Sequence, residues 1–134
     1  MIVLDEQLQG LDLEKAISRW YRGAIFLVND LRLQTLIKDD SIPALLRRAK
    51  KSTFITINYS DFWLQTQASS AYCVVCFKLL TREFTEIPFL LRRLLSLPEF
   101  KTKKARMGKV ISVTHSRIKY YEKDKNRIHT IMWQ

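Results

Sequence analysis

The stretch TFITINYSDF, residues 53–62, has the pattern of a buried β-strand that ends in a polar turn. Its first five residues are all aromatic or β-branched, which suits a strand that is covered on both faces. Asn58, Ser60 and Asp61 then place polar side chains just beyond the carboxyl end of the strand. Ligands of open α/β sheets bind at that edge. The stretch therefore predicts a ligand site together with a strand.

The N-terminal stretch MIVLDE, residues 1–6, has the same design: an apolar strand runs directly into Asp5 and Glu6. Because the carboxyl ends of parallel strands meet at one edge of a sheet, the acids that follow the two strands predict a shared cation site. Carboxylate oxygens are ligands that hard cations prefer.

The composition predicts a single globular domain over residues 1–134. The chain is 47% hydrophobic and contains three prolines and three glycines, which argues against disorder. No stretch reaches the roughly 18 apolar residues of a membrane span, and Asp5 interrupts the first apolar run, so neither membrane insertion nor a signal peptide is expected. Cys73 and Cys76 are predicted to be buried thiols on opposite faces of one strand. The expected location is the cytoplasm.

The net charge of +10 is distributed unevenly along the chain. Residues 1–86 carry 11 Lys and Arg against 10 Asp and Glu, whereas residues 87–134 carry 12 against 3. A nearly neutral half that contains acids, followed by a strongly basic half, favours a polyanion as the partner. The basic run Lys101, Lys103, Lys104 and Arg106 is predicted to lie in a loop and to contact phosphates; a merely solvated loop is the alternative.

Strand-like and helix-like segments alternate along the chain, which predicts an α/β fold with a mainly parallel sheet. Residues 110–121 and 128–133 are predicted to form a terminal β-hairpin around the polar turn 122–127, with His115 and His129 on opposing strands. Helical periodicity predicts helices over residues 13–21, 42–49 and 87–97, and apolar runs predict strands over 24–28 and 71–79.

The order of these motifs resembles that of PIN-like nuclease domains. VLDEQL (3–8), a helix that ends in RG (22–23) and VNDLRL (28–33) resemble the opening of the family. DDSIPALLRRAKKSTFITINYSDF (39–62) resembles its acid-capped helix and the strand that ends in Thr-x-Asp-x-Asp-Phe. SRIKYY (116–121) is similar to the basic end strand of small single-domain members.

The resemblance implies a three-layer α/β/α fold with a sheet ordered about 3-2-1-4-5. It also implies a Mg²⁺- or Mn²⁺-dependent endoribonuclease, often the toxin of a toxin–antitoxin pair, and therefore RNA and an antitoxin protein as partners; many relatives are homodimers. Matched position by position, Asp5, Asp40 (or Asp39) and Asp61 would be the catalytic acids, and Glu6 would join them as a metal ligand. Asn58 stands where the family has the first Asp of its third-strand motif, and it would supply a neutral oxygen ligand.

Two other readings stay open. A PIN-like module that keeps the fold and the basic face but binds nucleic acid without cleaving it is favoured by Asn58, which replaces the family's Asp. The acids could also be structural, with Asp39 and Asp40 capping a helix and Asp61 closing a turn. A phosphoacceptor receiver domain also places acids at strand ends, but it needs a lysine just after the fifth strand. The sequence has His115 and Arg117 in that region instead.

Overall fold

The computed structural model describes residues 1–33 and 41–133 as an α/β fold around one seven-stranded mixed sheet. The strands are β1 (Ile2–Leu4), β2 (Ile25–Leu27), β3 (Ser52–Thr56), β4 (Tyr72–Phe77), β5 (Lys109–Val113), β6 (Arg117–Glu122) and β7 (His129–Met132). The α-helices are α1 (Leu13–Ser18), α2 (Val28–Leu33), α3 (Ile42–Arg48), α4 (Tyr59–Phe62), α5 (Ile87–Leu94) and α6 (Lys103–Arg106), and 3₁₀ turns cover Glu6–Leu8 and Thr81–Glu86. None of the helices in these ranges is long and apolar enough to cross a membrane.

The strand order is β2-β1-β3-β4-β5-β6-β7, and the first five of these strands are parallel. The implied order of about 3-2-1-4-5 is therefore wrong, because β1 lies between β2 and β3 rather than between β2 and β4. The backbone fixes this neighbour: Thr53 N donates to Met1 O and Asp5 N donates to Ile55 O, both at 2.9 Å. Short apolar strands of similar length carry little information about which of them pair, so this order could not be read from their sequences.

Side chains of β4 alternate between two hydrophobic clusters, so the clusters lie on opposite faces of the sheet. Cys73 packs in the cluster that also contains residues of α1 and α5, and Cys76 packs in the cluster that contains residues of α2 and α3. The prediction of two buried thiols on opposite faces is confirmed. Burial raises the pKa of each thiol to about 12.

The C-terminal region contains three antiparallel strands rather than the two that the sequence pattern predicted. The stretch 110–121 is divided between β5 and β6 by a tight turn that Thr114 closes. Its backbone N and Oγ1 donate to Arg117 O at 3.0 and 3.1 Å, and its Oγ1 accepts from Arg117 N at 3.1 Å. His115 lies in this turn, whereas His129 is paired with Tyr120 on β6, so the two histidines do not face each other.

The basic run 101–106 is not a loop throughout, because Lys103–Arg106 form α6, capped by Thr102 Oγ1. Arg106 is only 3% exposed, which differs from the surface position that the run suggested. Lys101, Lys103 and Lys104 are exposed. The apolar stem of an arginine makes such burial possible wherever the guanidinium finds acceptors, and sequence alone does not show them.

Candidate functional site at the carboxyl edge

The carboxyl ends of β1 and β3 bring three of the predicted site residues into one chain of hydrogen bonds. Asp5 is 6% exposed, and its Oδ2 accepts from Thr56 Oγ1 at 2.6 Å. The same Thr56 hydroxyl accepts from the backbone N of Asn58 at 3.0 Å. Asn58 Nδ2 in turn donates to Asp61 Oδ2 at 2.8 Å. We call Asp5, Thr56, Asn58 and Asp61 the switch-point cluster.

The strand order explains the position of this cluster. Chain connections leave β1 toward β2 on one side and continue from β3 toward β4 on the other, so the topological switch point lies between β1 and β3. Doubly wound sheets bind their ligands in the crevice at that point. Asp5 follows β1 directly and Asn58 follows β3 by two residues. Thr56, the last residue of β3, joins the two ends.

Local hydrogen bonds orient the acids of the cluster. Asp5 caps the following 3₁₀ turn, and its Oδ1 accepts from Glu6 N at 2.8 Å. Asn58 caps α4, because its Oδ1 accepts from Asp61 N at 3.3 Å. Asp61 is exposed at the start of that short helix, and Glu6 is exposed next to Asp5. These contacts fix oxygen atoms at the edge of the sheet.

The predicted metal ligands are only partly brought together. Asp5, Asn58 and Asp61 are linked, Glu6 is adjacent in sequence, and Asp39 and Asp40 lie outside the described residues. Within 1–33 and 41–133, the group of three His, Cys, Asp or Glu side chains with ligand atoms within 4.8 Å of one another is Glu83, Glu86 and His115. That group was not predicted from the sequence.

His115 lies between the two glutamates of this second group. Its Nε2 is 3.2 Å from Glu86 Oε1, and its Nδ1 is 3.6 Å from Glu83 Oε2. Glu83 also accepts from Leu80 N through Oε1 at 2.8 Å, so it holds the local turn. The histidine and Glu86 are exposed. Since the ring already contacts both carboxylates, polar contacts between the three side chains account for the group.

A groove of about 630 Å³ opens beside the ends of β4 and β5 at the same edge. Among the described residues, three cations and one carboxylate, that of Glu83, line it. We call this the cationic groove; its lining residues are Tyr59, Lys78, Leu79, Leu80, Glu83, Ser112, Thr114, Ser116, Arg117 and Lys119. Its charge and its hydroxyl groups suit a phosphate backbone.

Tyr59 is positioned by two neighbours in this groove. Its Oη lies 3.0 Å from Ser112 Oγ, and Lys78 Nζ lies 5.2 Å from the centre of its ring. Sequence reasoning missed Lys78, although the signal was the same as for Asp5: it follows a buried strand directly. Tyr59 belongs to α4, next to Asn58, so the cationic groove and the switch-point cluster are adjacent.

The basic run 101–106 lies at the opposite edge of the sheet from the switch-point cluster. Lys101, Lys103 and Arg106 line a pocket at the amino edge of the sheet, where β1 and β5 begin, and Lys104 does not line it. The predicted phosphate contacts are therefore separated from the predicted acids by the length of the strands.

Comparisons of the chain with protein-family models, with curated proteins and with solved structures gave no match. The resemblance to PIN-like domains thus rests on the residues quoted above.

Proposed function

We propose that this protein is a metal-dependent phosphodiesterase that acts on RNA, with Asp5 as the central ligand of a Mg²⁺ or Mn²⁺ ion. One observation carries the proposal: a carboxylate that is only 6% exposed lies at the switch point between β1 and β3. Buried carboxylates are costly unless they are hydrogen-bonded, paired or bound to a metal. The oxygen donors at this edge match the preference of these ions.

The donor set fits a hard cation. Asp5 and Asp61 supply carboxylate oxygens, and Asn58 supplies an amide oxygen. Asp5 accepts hydrogen bonds from Thr56 Oγ1 and Glu6 N, and Asp61 accepts one from Asn58 Nδ2, so the carboxylates that would hold the ion are already oriented. When bound, such an ion supplies a more acidic water and neutralises charge on the phosphate. Asp40 would complete the set as the resemblance implies.

The residues of the chain have separate roles in this proposal. Thr56 holds the orientation of Asp5, and Asn58 holds that of Asp61. Lys78, Arg117 and Lys119 of the cationic groove bind the phosphates of a strand that crosses the edge. The excess of nine positive charges in residues 87–134 supports a polyanionic substrate.

Membership of the PIN-like family belongs to the same proposal, including its three-layer arrangement. Its support is the acid directly after β1 and the helix Ile42–Arg48 that leads into the strand Ser52–Thr56. The action of a toxin, restrained by an antitoxin protein, would follow from that membership.

A second candidate is a PIN-like module that binds RNA without cleaving it. The observation that favours it is the bond of 2.8 Å from Asn58 Nδ2 to Asp61 Oδ2. This amide directs protons at a carboxylate oxygen that a metal ion would otherwise use. An aspartate at position 58 would direct lone pairs there instead.

The test is cleavage of a labelled single-stranded RNA with Mn²⁺, with Mg²⁺ and with EDTA. We expect cleavage that requires the metal and that is slowed roughly 100-fold or more by Asp5→Asn. Asp124→Asn is the matched control, because Asp124 is exposed at φ 65°, where asparagine is also tolerated, and lies at the opposite edge.

Three results would decide between the candidates. If the Asp5→Asn protein cleaves RNA as fast as the unmodified protein, and without a metal, the proposed metal-dependent phosphodiesterase is contradicted. Binding of RNA without cleavage would favour the second. Loss of metal-dependent cleavage in His115→Gln but not in Asp5→Asn would place the ion between Glu83 and Glu86 instead.

A further inference from the structure

The pocket at the amino edge of the sheet is strongly cationic. It measures about 510 Å³, and its polar and aromatic lining comprises Trp20, Tyr21, Arg22, Lys101, Lys103 and Arg106. No carboxylate is among the described residues that line it. We call it the amino-edge pocket. Four cations around one cavity repel each other unless an anion enters.

Arg106 is the fixed element of this pocket. Its Nε donates to Thr53 Oγ1 at 2.9 Å, and its Nη1 donates to the carbonyl oxygens of Phe100 and Lys101 at 3.0 and 3.2 Å. All three acceptors are neutral. Within residues 1–33 and 41–133 no Asp or Glu forms a salt bridge with this side chain, and its Nη2 donates to none of them.

An arginine that is only 3% exposed and has no carboxylate partner among the described residues is unusual, because a buried charge normally has a counter-charge. Its bonds orient the planar group against β3 and leave one nitrogen for a ligand. The remaining nitrogen, Nη2, carries N–H donors for an oxygen of a carboxylate or phosphate. The geometry therefore provides a preorganised anion-binding group.

The charges of two pocket residues also act on the α-amino group of Met1. The Met1 α-amino group donates to Tyr21 Oη at 2.9 Å beside the pocket. Burial, and then the charges of Lys103 and Arg106, lower the pKa of this amino group to about 6. Another positive charge is thus disfavoured at this position, in part because Lys103 and Arg106 are already charged.

From this geometry we infer that the amino-edge pocket binds a phosphomonoester, with Arg106 as the fixed cation that donates through Nη2 and Arg22, Lys101 and Lys103 around the remaining oxygens. A phosphomonoester carries between one and two negative charges at neutral pH, more than a phosphodiester, and so suits four cations better. Trp20 offers an aromatic surface on which the adjoining base can stack. The ligand is therefore a phosphorylated end of a nucleic acid or a free nucleotide.

This site is independent of the proposed phosphodiesterase, because it lies at the opposite edge of the sheet from Asp5. Its test is performed in EDTA, where metal-dependent cleavage does not occur. Isothermal titration calorimetry compares a short single-stranded oligonucleotide that carries a 5′-phosphate with the same strand that ends in a 5′-hydroxyl. Adenosine monophosphate and inorganic phosphate are titrated as the free ligands.

Lys103→Gln and Lys104→Gln form the matched pair of variants. Both residues are exposed on α6, but only Lys103 lines the pocket. We expect the 5′-phosphate to tighten binding about tenfold, Lys103→Gln and Arg22→Gln to remove most of that gain, and Lys104→Gln to change it less than about twofold. Tight binding of the free ligands would assign the pocket to nucleotides, and binding of the strand alone would assign it to nucleic-acid ends.

Two outcomes would overturn the inference. One is equal affinity for the phosphorylated and hydroxyl strands together with no binding of adenosine monophosphate or phosphate. The other is an equal loss of affinity in Lys103→Gln and Lys104→Gln, which would show diffuse attraction to α6. Because these variants change exposed side chains, they test the pocket without removing the buried Arg106.

Discussion

At the scale of single residues, the bond between Thr56 and Asp5 is the central contact of the candidate site. The hydroxyl donates to the carboxylate and accepts from Asn58 N, so one side chain satisfies groups that follow two different strands. Burial of either polar group without a partner would cost about 1–3 kcal/mol. The contact therefore fixes the acid and also joins the ends of β1 and β3.

Tyr121 provides a prediction on pH dependence. Its Oη donates to Thr66 O at 2.5 Å, and burial, followed by the nearby Cys76, raises its pKa to about 12. An exposed tyrosine has a pKa near 10, so between pH 10 and 12 the folded chain keeps a proton that the unfolded chain has released. Stability from this group is full below pH 10 and falls as the pH rises toward 12.

We expect Tyr121→Phe to reduce the slope of the free energy of unfolding against pH between pH 10 and 12. Urea unfolding at a series of pH values measures it. Between pH 7 and 9 the slope should match that of the wild type, although the free energy itself is lower by about 1 kcal/mol because the hydrogen bond is absent. An unchanged slope above pH 10 would show that Tyr121 does not contribute.

At the scale of elements, the N-terminus of α4 is where the two candidate functions differ in what they predict. Asn58 caps this helix and donates to Asp61 at the same time. Asp is as good an N-cap as Asn, so Asn58→Asp keeps the capping acceptor while it replaces an attractive contact with two facing carboxylates. Such a pair is unfavourable without a cation and favourable with one.

We expect Asn58→Asp to lower the melting temperature in EDTA and to increase the rise that Mn²⁺ produces. Differential scanning calorimetry with and without Mn²⁺ measures both changes. Asn126→Asp, in the exposed turn between β6 and β7, is the control for an added charge. If Mn²⁺ stabilises both variants equally, the switch-point cluster is not a metal site.

The elements themselves were largely predictable. The strands over 53–57 and 71–79 and the helices over 13–21, 42–49 and 87–97 correspond to β3, β4, α1, α3 and α5, because apolar periodicity follows burial. Asp5 and Asn58 could also be placed at one edge. The order of the strands, the turn at Thr114 and the burial of Arg106 could not be predicted, because each depends on contacts between segments distant in sequence.

At the scale of the whole molecule, the two edges of the sheet differ in their chemistry. The carboxyl edge combines the acids of the switch-point cluster with the cationic groove, whereas the amino-edge pocket is lined by cations and by no described acid. A strand of RNA that is bound at the carboxyl edge should therefore lose condensed counterions as the cations of the groove neutralise its phosphates.

We expect the double variant Lys78→Gln/Arg117→Gln to reduce the salt dependence of RNA binding. The slope of log K against log salt should become shallower by about 0.7 for each phosphate that the variant no longer neutralises. Lys123→Gln/Arg127→Gln removes the same charges from the exposed turn between β6 and β7 and is the control. Fluorescence anisotropy at several salt concentrations measures the slopes. Equal slopes for the two double variants would exclude the groove as the binding surface.

The position of the two thiols has a practical consequence. Cys73 and Cys76 belong to the same strand but are buried in different clusters, one on each face of the sheet. Alkylation of Cys73 requires the layer with α1 and α5 to separate from the sheet, and alkylation of Cys76 requires the layer with α2 and α3 to do so. The rates at which the two thiols are alkylated in native buffer therefore report two different opening motions. They time the opening of each layer separately, without any label added to the protein.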